Sequence, residues 1–242
     1  MTKSLVIIPT YNEKENIAKI IEAVFSLEVP FHILIVDDGS PDGTAEIVKD
    51  IQRKEPQRLH LMERQGKQGL GTAYIAGFKW GLDNHFDYLF EMDADFSHNP
   101  KDLVRLHHAL DSEQNDLVVG SRYCSGGKVK NWPWDRIVLS YGASLYTRMI
   151  TWMPVKDPTA GFIGYRNKVL AAIPLDRIRF VGYAFQIEMK FSAYLRNFKI
   201  KEVPITFVDR IEGVSKLSSG IIHEAVFGVL KMRLKSLFSE YP

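Results

Sequence analysis

The sequence predicts an α/β fold, in which a mostly parallel sheet is covered by helices on both faces. Short β-branched and aliphatic runs alternate along the chain with segments whose apolar residues repeat at helical spacing. Such alternation is typical of parallel strands joined by crossover helices. With 242 residues, of which 45% are hydrophobic, the chain is long enough to bury a substantial core.

Strand-like runs lie at residues 5–8, 33–36, 59–62, 88–90 and 117–119, and the alternation of Val203, Ile205 and Phe207 predicts a further strand. The runs at 33–36 and 88–90 both end in clustered acidic residues. In open α/β sheets, ligands bind at the carboxyl ends of the strands. These two strand ends are therefore the first candidates for a binding site.

Helical spacing of apolar residues predicts helices around residues 17–25, 47–51, 103–110, 136–153 and 183–195. The spacing of Asn12 and Glu15 is close to that of a capping box before the first helix. A last amphipathic helix contains residues 222–238. Its apolar face and its lysines suit an anionic membrane surface, whereas ordinary packing against the core is the more common role of such a helix.

The charge balance excludes some classes of function. Lys and Arg number 31 against 29 Asp and Glu, so the near-zero net charge gives no support for nucleic-acid binding. The single cysteine, Cys124, excludes an internal disulfide and favours a reducing compartment.

The sequence shows neither a signal peptide nor a spanning helix. Residues 1–4 lead directly into a strand-like run without the apolar core of a signal peptide, and no apolar stretch reaches the roughly 18 residues of a spanning helix. We therefore expect a cytoplasmic protein whose membrane contact is peripheral.

Three carboxylates, those of Glu91, Asp93 and Asp95, follow the run at 88–90. Carboxylates that lie close together repel one another, and their hard oxygen atoms favour Mg²⁺ or Mn²⁺ between them. Such a cation can neutralise a diphosphate, so a phosphorylated substrate is predicted. Glu91 is favoured as a charge at the end of the sheet rather than as a ligand.

The second acidic strand end is Asp37-Asp38-Gly39-Ser40. If its strand is parallel to the strand at 88–90 in one sheet, Asp38 and Asp95 lie on the same edge. One of them could then bind a base or ribose and the other a metal ion. Asp37 or Asp42 taken alone is equally compatible with a helix cap.

The ordered motifs resemble those of the inverting glycosyltransferases of family 2, which have the GT-A nucleotide-sugar-binding fold. The motifs are Ile8-Pro9-Thr10-Tyr11-Asn12-Glu13, Val36-Asp37-Asp38-Gly39-Ser40 and Asp93-Ala94-Asp95. Further segments are similar to the dolichol-phosphate mannosyltransferase (polyprenyl-phosphate mannose synthase) branch. These segments lie at 69–71, 120–123 and 157–162, and at Asp209-Arg210 leading to Gly213 and Ser215-Lys216. The resemblance spans residues 4–220, which we expect to form the GT-A domain, with residues 221–242 as an amphipathic helix.

The resemblance implies a GDP-mannose donor held by the acidic edge of the sheet. The donor-binding residues that it implies are Pro9, Tyr11, Glu13, Val36, Asp38, Asp93, Ala94, Asp95, Arg210 and Lys216. Tyr11 can stack on a base, and carboxylates can accept hydrogen bonds from base amines or ribose hydroxyls. The metal ligands would be Asp93, Asp95 and Ser97, the last directly or through water. The sequence alone favours Arg210 and Lys216 as solvated charges of a loop. The resemblance implies instead that this pair closes over the phosphates of the donor.

The resemblance also implies a polyprenyl phosphate acceptor, held by Arg122, Arg136 and Ser140. A phosphate monoester is already anionic at neutral pH, which explains why no dedicated general base is conspicuous. Arg122 and Arg136 would serve catalysis together with Asp95, although each arginine alone would more often be an ion-pair partner. Trp132, Trp134 and Trp152 are candidates for the lipid interface.

The expected reaction is a single displacement with inversion, giving polyprenyl-phosphate mannose and GDP. Two alternatives stay open: the same reaction with another donor such as UDP-glucose, and an inactive nucleotide-sugar-binding membrane adaptor. The sequence also leaves open whether a separate membrane protein presents the acceptor.

Overall fold

The computed structural model of the chain describes residues 2–209 and 219–238. A seven-stranded sheet forms its centre, in the strand order β3-β2-β1-β4-β7-β5-β8. The strands are β1 (Ser4–Thr10), β2 (His32–Asp37), β3 (Leu59–Glu63), β4 (Tyr88–Glu91), β5 (Leu117–Ser121), β6 (Lys128–Lys130), β7 (Ile163–Arg166), β8 (Ile200–Pro204) and β9 (Thr206–Val208). Within the sheet only β7 is antiparallel to its neighbours, while β6 and β9 form a separate parallel pair. The prediction of a mostly parallel sheet is confirmed.

Helices connect most of the strands. They are α1 (Ile17–Phe25), α2 (Thr44–Gln52), α3 (Leu70–Asp83), α4 (Asp102–Asp111), α5 (Trp134–Thr151), α6 (Asn167–Ala172), α7 (Tyr183–Leu195) and α8 (Ser219–Phe238), with a short 3-10 helix at Leu175–Arg177. Among the helices of the described ranges, none combines the length and the apolar character needed to cross a membrane.

Alternation along β1 divides the core into two layers. Val6 and Ile8 point to the face covered by α1, α2 and α4, whereas Leu5 and Ile7 point to the face covered by α3, α6 and α7. Successive residues of a strand point to opposite faces, so a strand that is apolar at every position must be buried on both. The continuous apolar runs of β1 and β2 therefore explain why the sheet lies in the middle layer.

Helix α3 was not predicted, because its glycines weaken the helical signal. Gly77 lies where a Cβ would come within 2.6 Å of Ile7 Cγ2, and a Cβ on Gly81 would collide with Leu89. The glycines are thus required by the close approach of α3 to the sheet. That approach is a property of the packed structure, which local helix propensity does not reveal.

Two sequence expectations differ from the structure, and strand β7 was missed. The single strand expected across Val203, Ile205 and Phe207 is two strands, β8 and β9, which belong to different sheets. No capping box is present before α1, since its N-cap is Asn16, whose side chain makes no capping hydrogen bond. Strand β7 was not predicted, and it separates β4 from β5.

The last helix packs on its neighbours through part of its surface. Val229 and Met232 of α8 are buried against Phe191 of α7, in a small cluster that also includes Met153. Other apolar side chains of α8 are exposed: Phe227, Leu230, Leu234, Leu237 and Phe238. The helix therefore has a packed side and an uncovered apolar side.

Candidate active site

The site begins at the carboxyl ends of three neighbouring strands. Strand β1 lies between β2 and β4 and is parallel to both. The Asp38 N–H donates to the Thr10 carbonyl (3.0 Å), and the Met92 N–H donates to the Ile7 carbonyl (3.2 Å). The acidic segments that follow β2 and β4 therefore leave the sheet on the same edge.

Asp37 has a structural role in this edge. Its Oδ1 accepts hydrogen bonds from the hydroxyls of Thr10 (2.8 Å) and Ser40 (2.6 Å), and its Oδ2 accepts from the Ser40 N–H (2.9 Å). Asp42 accepts from the backbone N–H and the hydroxyl of Thr44 at the start of α2. Both side chains thus fix turns, but neither is the N-cap of α2, which is Gly43.

Asp38 is buried and faces the segment that follows β3. Its Oδ1 accepts a hydrogen bond from Arg64 Nε at 2.7 Å, and its Oδ2 accepts from the Gln68 N–H at 3.3 Å. In the same segment, Lys67 Nζ lies 5.2 Å from the centre of the Tyr11 ring. The structure therefore brings Asp38 and Tyr11 to one segment, whose Arg64 and Lys67 place two cations beside them, which suits the binding of an anionic nucleotide.

Three further implied donor residues lie on β1 and β2 or in the turn after β1. Pro9 and Val36 are paired in register across β1 and β2. Glu13 lies in the turn after β1, where its N–H donates to the Thr44 hydroxyl at 3.0 Å and its Oε2 accepts from Asn16 Nδ2 at 3.1 Å. Arg210 and Lys216 lie outside the described residues.

Asp93 and Asp95 follow β4 and are the candidate metal ligands. Asp95 is nearly buried, and its Oδ1 accepts a hydrogen bond from the Ser97 N–H at 3.0 Å, whereas the Asp93 side chain is 37% exposed. Ala94 is buried between them. Within the described ranges, no group of three or more His, Cys, Asp or Glu residues is arranged to hold a metal ion. Two carboxylates do fit a cation such as Mg²⁺, which typically takes one or two carboxylates and completes its shell with substrate phosphates and water.

His98 lies directly behind the candidate metal ligands. Its Nδ1 is 3.9 Å from Asp93 Oδ2, and its ring stacks on Phe162 with centroids 4.8 Å apart. Burial lowers the pKa of His98 to about 4 against the opposing effect of the Asp95 carboxylate. The imidazole is therefore neutral at physiological pH and contributes packing rather than positive charge.

Glu91 is the last residue of β4 and lies within the core, just before Asp93 and Asp95 in the sequence. It accepts hydrogen bonds from the Tyr165 hydroxyl (2.7 Å) and from Gln186 Nε2. Burial raises the pKa of Glu91 to about 7, even though these two hydrogen bonds and Lys190 favour its charged form. The side chain is fully buried, so it belongs to the support of the site rather than to its ligands.

Arg122 follows β5 and is almost fully buried. Its Nε and one terminal nitrogen donate to the two oxygens of Asp157, each at 2.7 Å, and its backbone N–H donates to Asp157 Oδ2 at 2.9 Å. Although burial acts to raise it, the pKa of Asp157 is held below its usual range by the Arg122 guanidinium. This bidentate pair fixes the orientation of Arg122.

Arg136, at the start of α5, lies beside Arg122. It donates to both carboxylate oxygens of Asp209, at 2.9 and 3.0 Å. The guanidinium carbons of Arg136 and Arg122 lie 4.1 and 5.6 Å from the centre of the Trp132 ring. The structure thus brings the two predicted acceptor arginines to one indole ring, and pairs each with an aspartate.

Ser140 joins the same cluster through a tyrosine. Its hydroxyl accepts a hydrogen bond from the Tyr123 hydroxyl at 2.8 Å, and Arg122 lies 5.2 Å from the centre of the Tyr123 ring. The predicted residues Arg122, Arg136 and Ser140 therefore lie in one neighbourhood.

Aromatic rings connect this cluster to the acidic edge. The Phe207 ring lies 5.3 Å from the ring of His98 and 5.3 Å from the ring of Trp132. Its centre is also 5.7 Å from the guanidinium carbon of Arg122. The carboxylates after β4 and the two arginines therefore border the same aromatic group.

Sequence reasoning missed several partners. Arg64 and Lys67 carried no signal, because they are ordinary charges in a polar segment until the fold brings them to Asp38 and Tyr11. Asp157 lay in a recognised motif without an assigned role. A buried arginine requires a paired carboxylate, but the burial of Arg122 is visible only in the structure.

The family model of glycosyl transferase family 2 matches residues 5–173, which include both acidic strand ends and Arg122. The chain belongs to this family. The predicted family is therefore confirmed, and this member is a glycosyltransferase.

Two curated relatives are similar over nearly the whole family 2 chain. A polyprenol monophosphomannose synthase of Mycolicibacterium smegmatis is 47% identical over 233 residues, covering 96% of this chain and 88% of the relative. An undecaprenyl-phosphate mannosyltransferase of Micrococcus luteus is 46% identical over 230 residues, covering 95% and 93%. Both names are those of the branch that the motifs resemble.

Solved structures share the fold at low identity. Glucosyl-3-phosphoglycerate synthase from Mycobacterium tuberculosis, in complex with Mn²⁺, UDP and glucosyl-3-phosphoglycerate, superposes with a TM-score of 0.66 at 16% identity, covering 97% of this chain and 79% of that one. A mannosyltransferase from Pyrobaculum calidifontis, in complex with GDP-Man and Mn²⁺, has a TM-score of 0.62 at 17% identity, covering 99% and 66%. The predicted GT-A-like fold is thereby confirmed.

Proposed function

We propose that the protein transfers mannose from GDP-mannose to a polyprenyl phosphate with inversion, releasing GDP. The observation that carries this proposal is the arrangement of charge around Phe207. Two carboxylates suited to a metal–diphosphate lie on one side, and two arginines suited to a phosphate monoester lie on the other. The two curated relatives, whose names specify polyprenol phosphate and mannose chemistry, support the choice of acceptor and sugar.

On the donor side, the pocket at Asp38 and Tyr11 would hold the nucleoside. Tyr11 offers a stacking surface, and Asp38 offers acceptor oxygens whose position is fixed by Arg64. Asp93 and Asp95 would hold Mg²⁺ or Mn²⁺, with Ser97 near enough in sequence to assist. When bound, such an ion neutralises the leaving diphosphate. The Mn²⁺ complexes of the structural neighbours support a divalent ion.

On the acceptor side, Arg122 and Arg136 would position the lipid phosphate, with Ser140 beside them. Guanidinium groups match the geometry of phosphate oxygens, and their position next to the acidic edge would place a phosphate oxygen in line with the anomeric carbon. No general base is required, because the nucleophile is already an anion. Arg210 and Lys216, which lie outside the described residues, remain predicted partners of the donor phosphates.

We also propose that the protein works at a membrane surface. Helix α5 carries Arg136, and its side chains Trp134, Val138 and Leu139 are exposed. At the other end of α5, Met149 and Trp152 line one apolar groove with exposed leucines of α8, so exposed apolar side chains lie at both ends of α5. The predicted division between residues 1–220 and 221–242 would make α8 the peripheral anchor, with or without a separate membrane partner.

The test mixes the purified protein with Mg²⁺ or Mn²⁺ and a short-chain polyprenyl phosphate, and supplies GDP-mannose, UDP-glucose or UDP-N-acetylglucosamine in parallel. Lipid products are read by mass spectrometry, and the anomeric configuration of the product by NMR. A β-linked mannosyl phospholipid from GDP-mannose alone is expected. Product from a UDP donor would keep the proposed reaction but change its sugar donor. The absence of product from every donor in the presence of vesicles would contradict the proposed function.

A further inference from the structure

We propose that Trp132 is a further ligand of the acceptor phosphate, whose indole N–H donates a hydrogen bond to a phosphate oxygen. The proposal rests on the proposed function, because it concerns the acceptor side of that site. It assigns to Trp132 a directed polar contact in addition to its contribution as an aromatic surface.

The position of Trp132 is defined by the two arginines. Arg136 stacks on its ring with the guanidinium carbon 4.1 Å from the ring centre, and Arg122 lies at 5.6 Å. Phe207 contacts the ring edge-on at 5.3 Å. Any anion that contacts both guanidinium groups must therefore lie next to the indole.

The polar atom of Trp132 has no partner within the part of the chain that the structure describes. Its Nε1 is buried and donates to no acceptor, and the same holds for Nε of Arg136. Buried N–H groups are nearly always paired in folded proteins, so an unpaired donor requires an explanation. Two unpaired donors on stacked neighbouring groups are explained by one oxygen-rich anion that accepts from both.

The carboxylates of the cluster leave these donors available. Asp209 accepts from a terminal nitrogen of Arg136, at 2.9 and 3.0 Å, whereas Nε of that guanidinium has no partner among the described residues. Asp157 takes the Nε and a terminal nitrogen of Arg122. Because each arginine is already matched by one aspartate, formal charge alone gives the cluster little attraction for an anion. Directed N–H donors must then supply selectivity for phosphate, and Trp132 supplies one without adding charge.

Phosphate can reach these donors because the pair that covers them is partly open. The side chains of Arg136 and Asp209 are 22% and 27% exposed. An entering phosphate can accept from the exposed side of Arg136 and then from the Nε–H groups as the aromatic cluster adjusts around it.

The first test is the substitution Trp132→Phe, which keeps an aromatic ring beside the arginines and removes the N–H donor together with the five-membered ring. The matched control is Trp80→Phe, which makes the same change on α3, where Trp80 packs on His60 and Phe86 away from the acceptor arginines. Because a tenfold change in affinity corresponds to one good hydrogen bond to a charged group, the KM for a short polyprenyl phosphate is expected to rise about tenfold in Trp132→Phe. The KM for GDP-mannose and the Tm of Trp132→Phe are expected to stay close to wild type, and Trp80→Phe is expected to leave both KM values unchanged.

The second test reads the N–H directly. In a ¹H–¹⁵N spectrum of the wild-type protein, the Trp132 indole signal, assigned by its absence in Trp132→Phe, is expected to move downfield as a short polyprenyl phosphate is added. The indole signal of Trp80, on α3, serves as an internal reference, with inorganic phosphate as a second titrant that separates headgroup binding from chain binding.

The outcomes separate the two proposals. Absence of product from wild type would overturn the proposed function, whereas the NMR titration would still show whether Trp132 binds phosphate. A second outcome is that wild type turns over, the acceptor KM of Trp132→Phe is unchanged and the indole signal does not move. This outcome would overturn the role of Trp132 and leave the proposed function standing. An equal rise of both KM values with a lowered Tm would show a structural role and would also overturn it.

Discussion

Lys190 shows how one buried residue supports the loop next to Arg122. It is fully buried on α7 and donates to the carbonyls of Pro158 (3.1 Å), Ala160 (2.6 Å) and Gln186 (3.1 Å). Two of these carbonyls belong to the loop that carries Asp157, the partner of Arg122. The ammonium group therefore fixes the main chain next to the buried ion pair.

Burial also changes the titration of Lys190. Burial lowers the pKa of Lys190 to about 7, with Arg122 acting in the same direction and with Glu91, Asp157 and Glu202 opposing it. The unfolded chain, with an ordinary lysine pKa near 10.4, binds more protons than the folded chain between about pH 7 and pH 10. The free energy of unfolding should therefore rise with pH through this window. The cost of burying the charged lysine is relieved as its amine loses the proton, and this cost returns in full as pH falls below about 7.

We predict that Lys190→Met removes this pH dependence. The difference in unfolding free energy between wild type and Lys190→Met should change by about 2 kcal/mol in favour of wild type between pH 7 and pH 9, at most about 1.4 kcal/mol per unit. Urea unfolding at the two pH values measures it. Arg166→Met is the matched control, because Arg166 also binds main-chain carbonyls, those of Asn115 and Leu110, and its loss should lower stability equally at both pH values.

The prediction for Lys190 is contradicted if the difference between the two proteins stays constant with pH. That outcome would mean that the lysine keeps an ordinary pKa in the folded state, through water that reaches it or through full pairing with Glu91.

At the residue scale, the sequence indicated those candidate site residues that are marked by a pattern within one short segment. Acidic residues at strand ends revealed Asp38 and Asp95, because a break from apolar to charged residues is visible in one segment. Arg64 and Asp157 became recognisable only through their partners, which are 26 and 35 residues away along the chain. Long-range pairing of charges has no local pattern, so single-sequence reasoning could not find it.

At the scale of elements, the parallel strands and α7 were predictable because burial on one or both faces leaves a period in the sequence. Strand β7 was not, since it is four residues long and contains Gly164, whose missing side chain makes room for Phe90 and Leu110. The break between β8 and β9 was also hidden, because Ile205 is buried although it belongs to neither strand.

Helices α5 and α8 carry the membrane prediction. Leu234 and Phe238 are exposed on the apolar side of α8, and Lys231 and Arg233 lie on the same helix. We predict that the double substitution Leu234→Asp and Phe238→Asp lowers the partition of the protein onto anionic vesicles at least tenfold, because each apolar side chain that inserts contributes about 1.5–3 kcal/mol. Vesicle flotation measures the partition.

A single charge added elsewhere serves as the control for that experiment. Ala18→Asp places an aspartate on the exposed part of α1, outside the proposed surface, and should leave flotation unchanged. Flotation of the α8 variant at the wild-type level would exclude α8 from membrane binding and would favour its packing role.

At the scale of the whole molecule, the proposed function assigns the two substrates to different parts of the fold. The proposed donor residues lie at the ends of the parallel strands β1, β2 and β4. The acceptor arginines follow β5 and begin α5, beyond the antiparallel strand β7. The two sites should therefore bind their ligands through separate sets of contacts, and damage to one should leave binding at the other intact.

This separation leads to a prediction for Asp95→Asn, which keeps the size of the side chain and an acceptor for the Ser97 N–H but removes the charge. GDP with Mn²⁺ at a hundredfold excess over its Kd should stabilise wild type by about 2.7 kcal/mol. The gain in Tm should largely disappear in Asp95→Asn, and in wild type with EDTA, since the diphosphate then lacks a counter-ion. A short polyprenyl phosphate should stabilise both proteins equally, because Arg122 and Arg136 are unchanged. Equal stabilisation of both proteins by GDP with Mn²⁺ would exclude Asp95 as a metal ligand, and loss of the response to the lipid phosphate would show that the two sites are one cooperative unit.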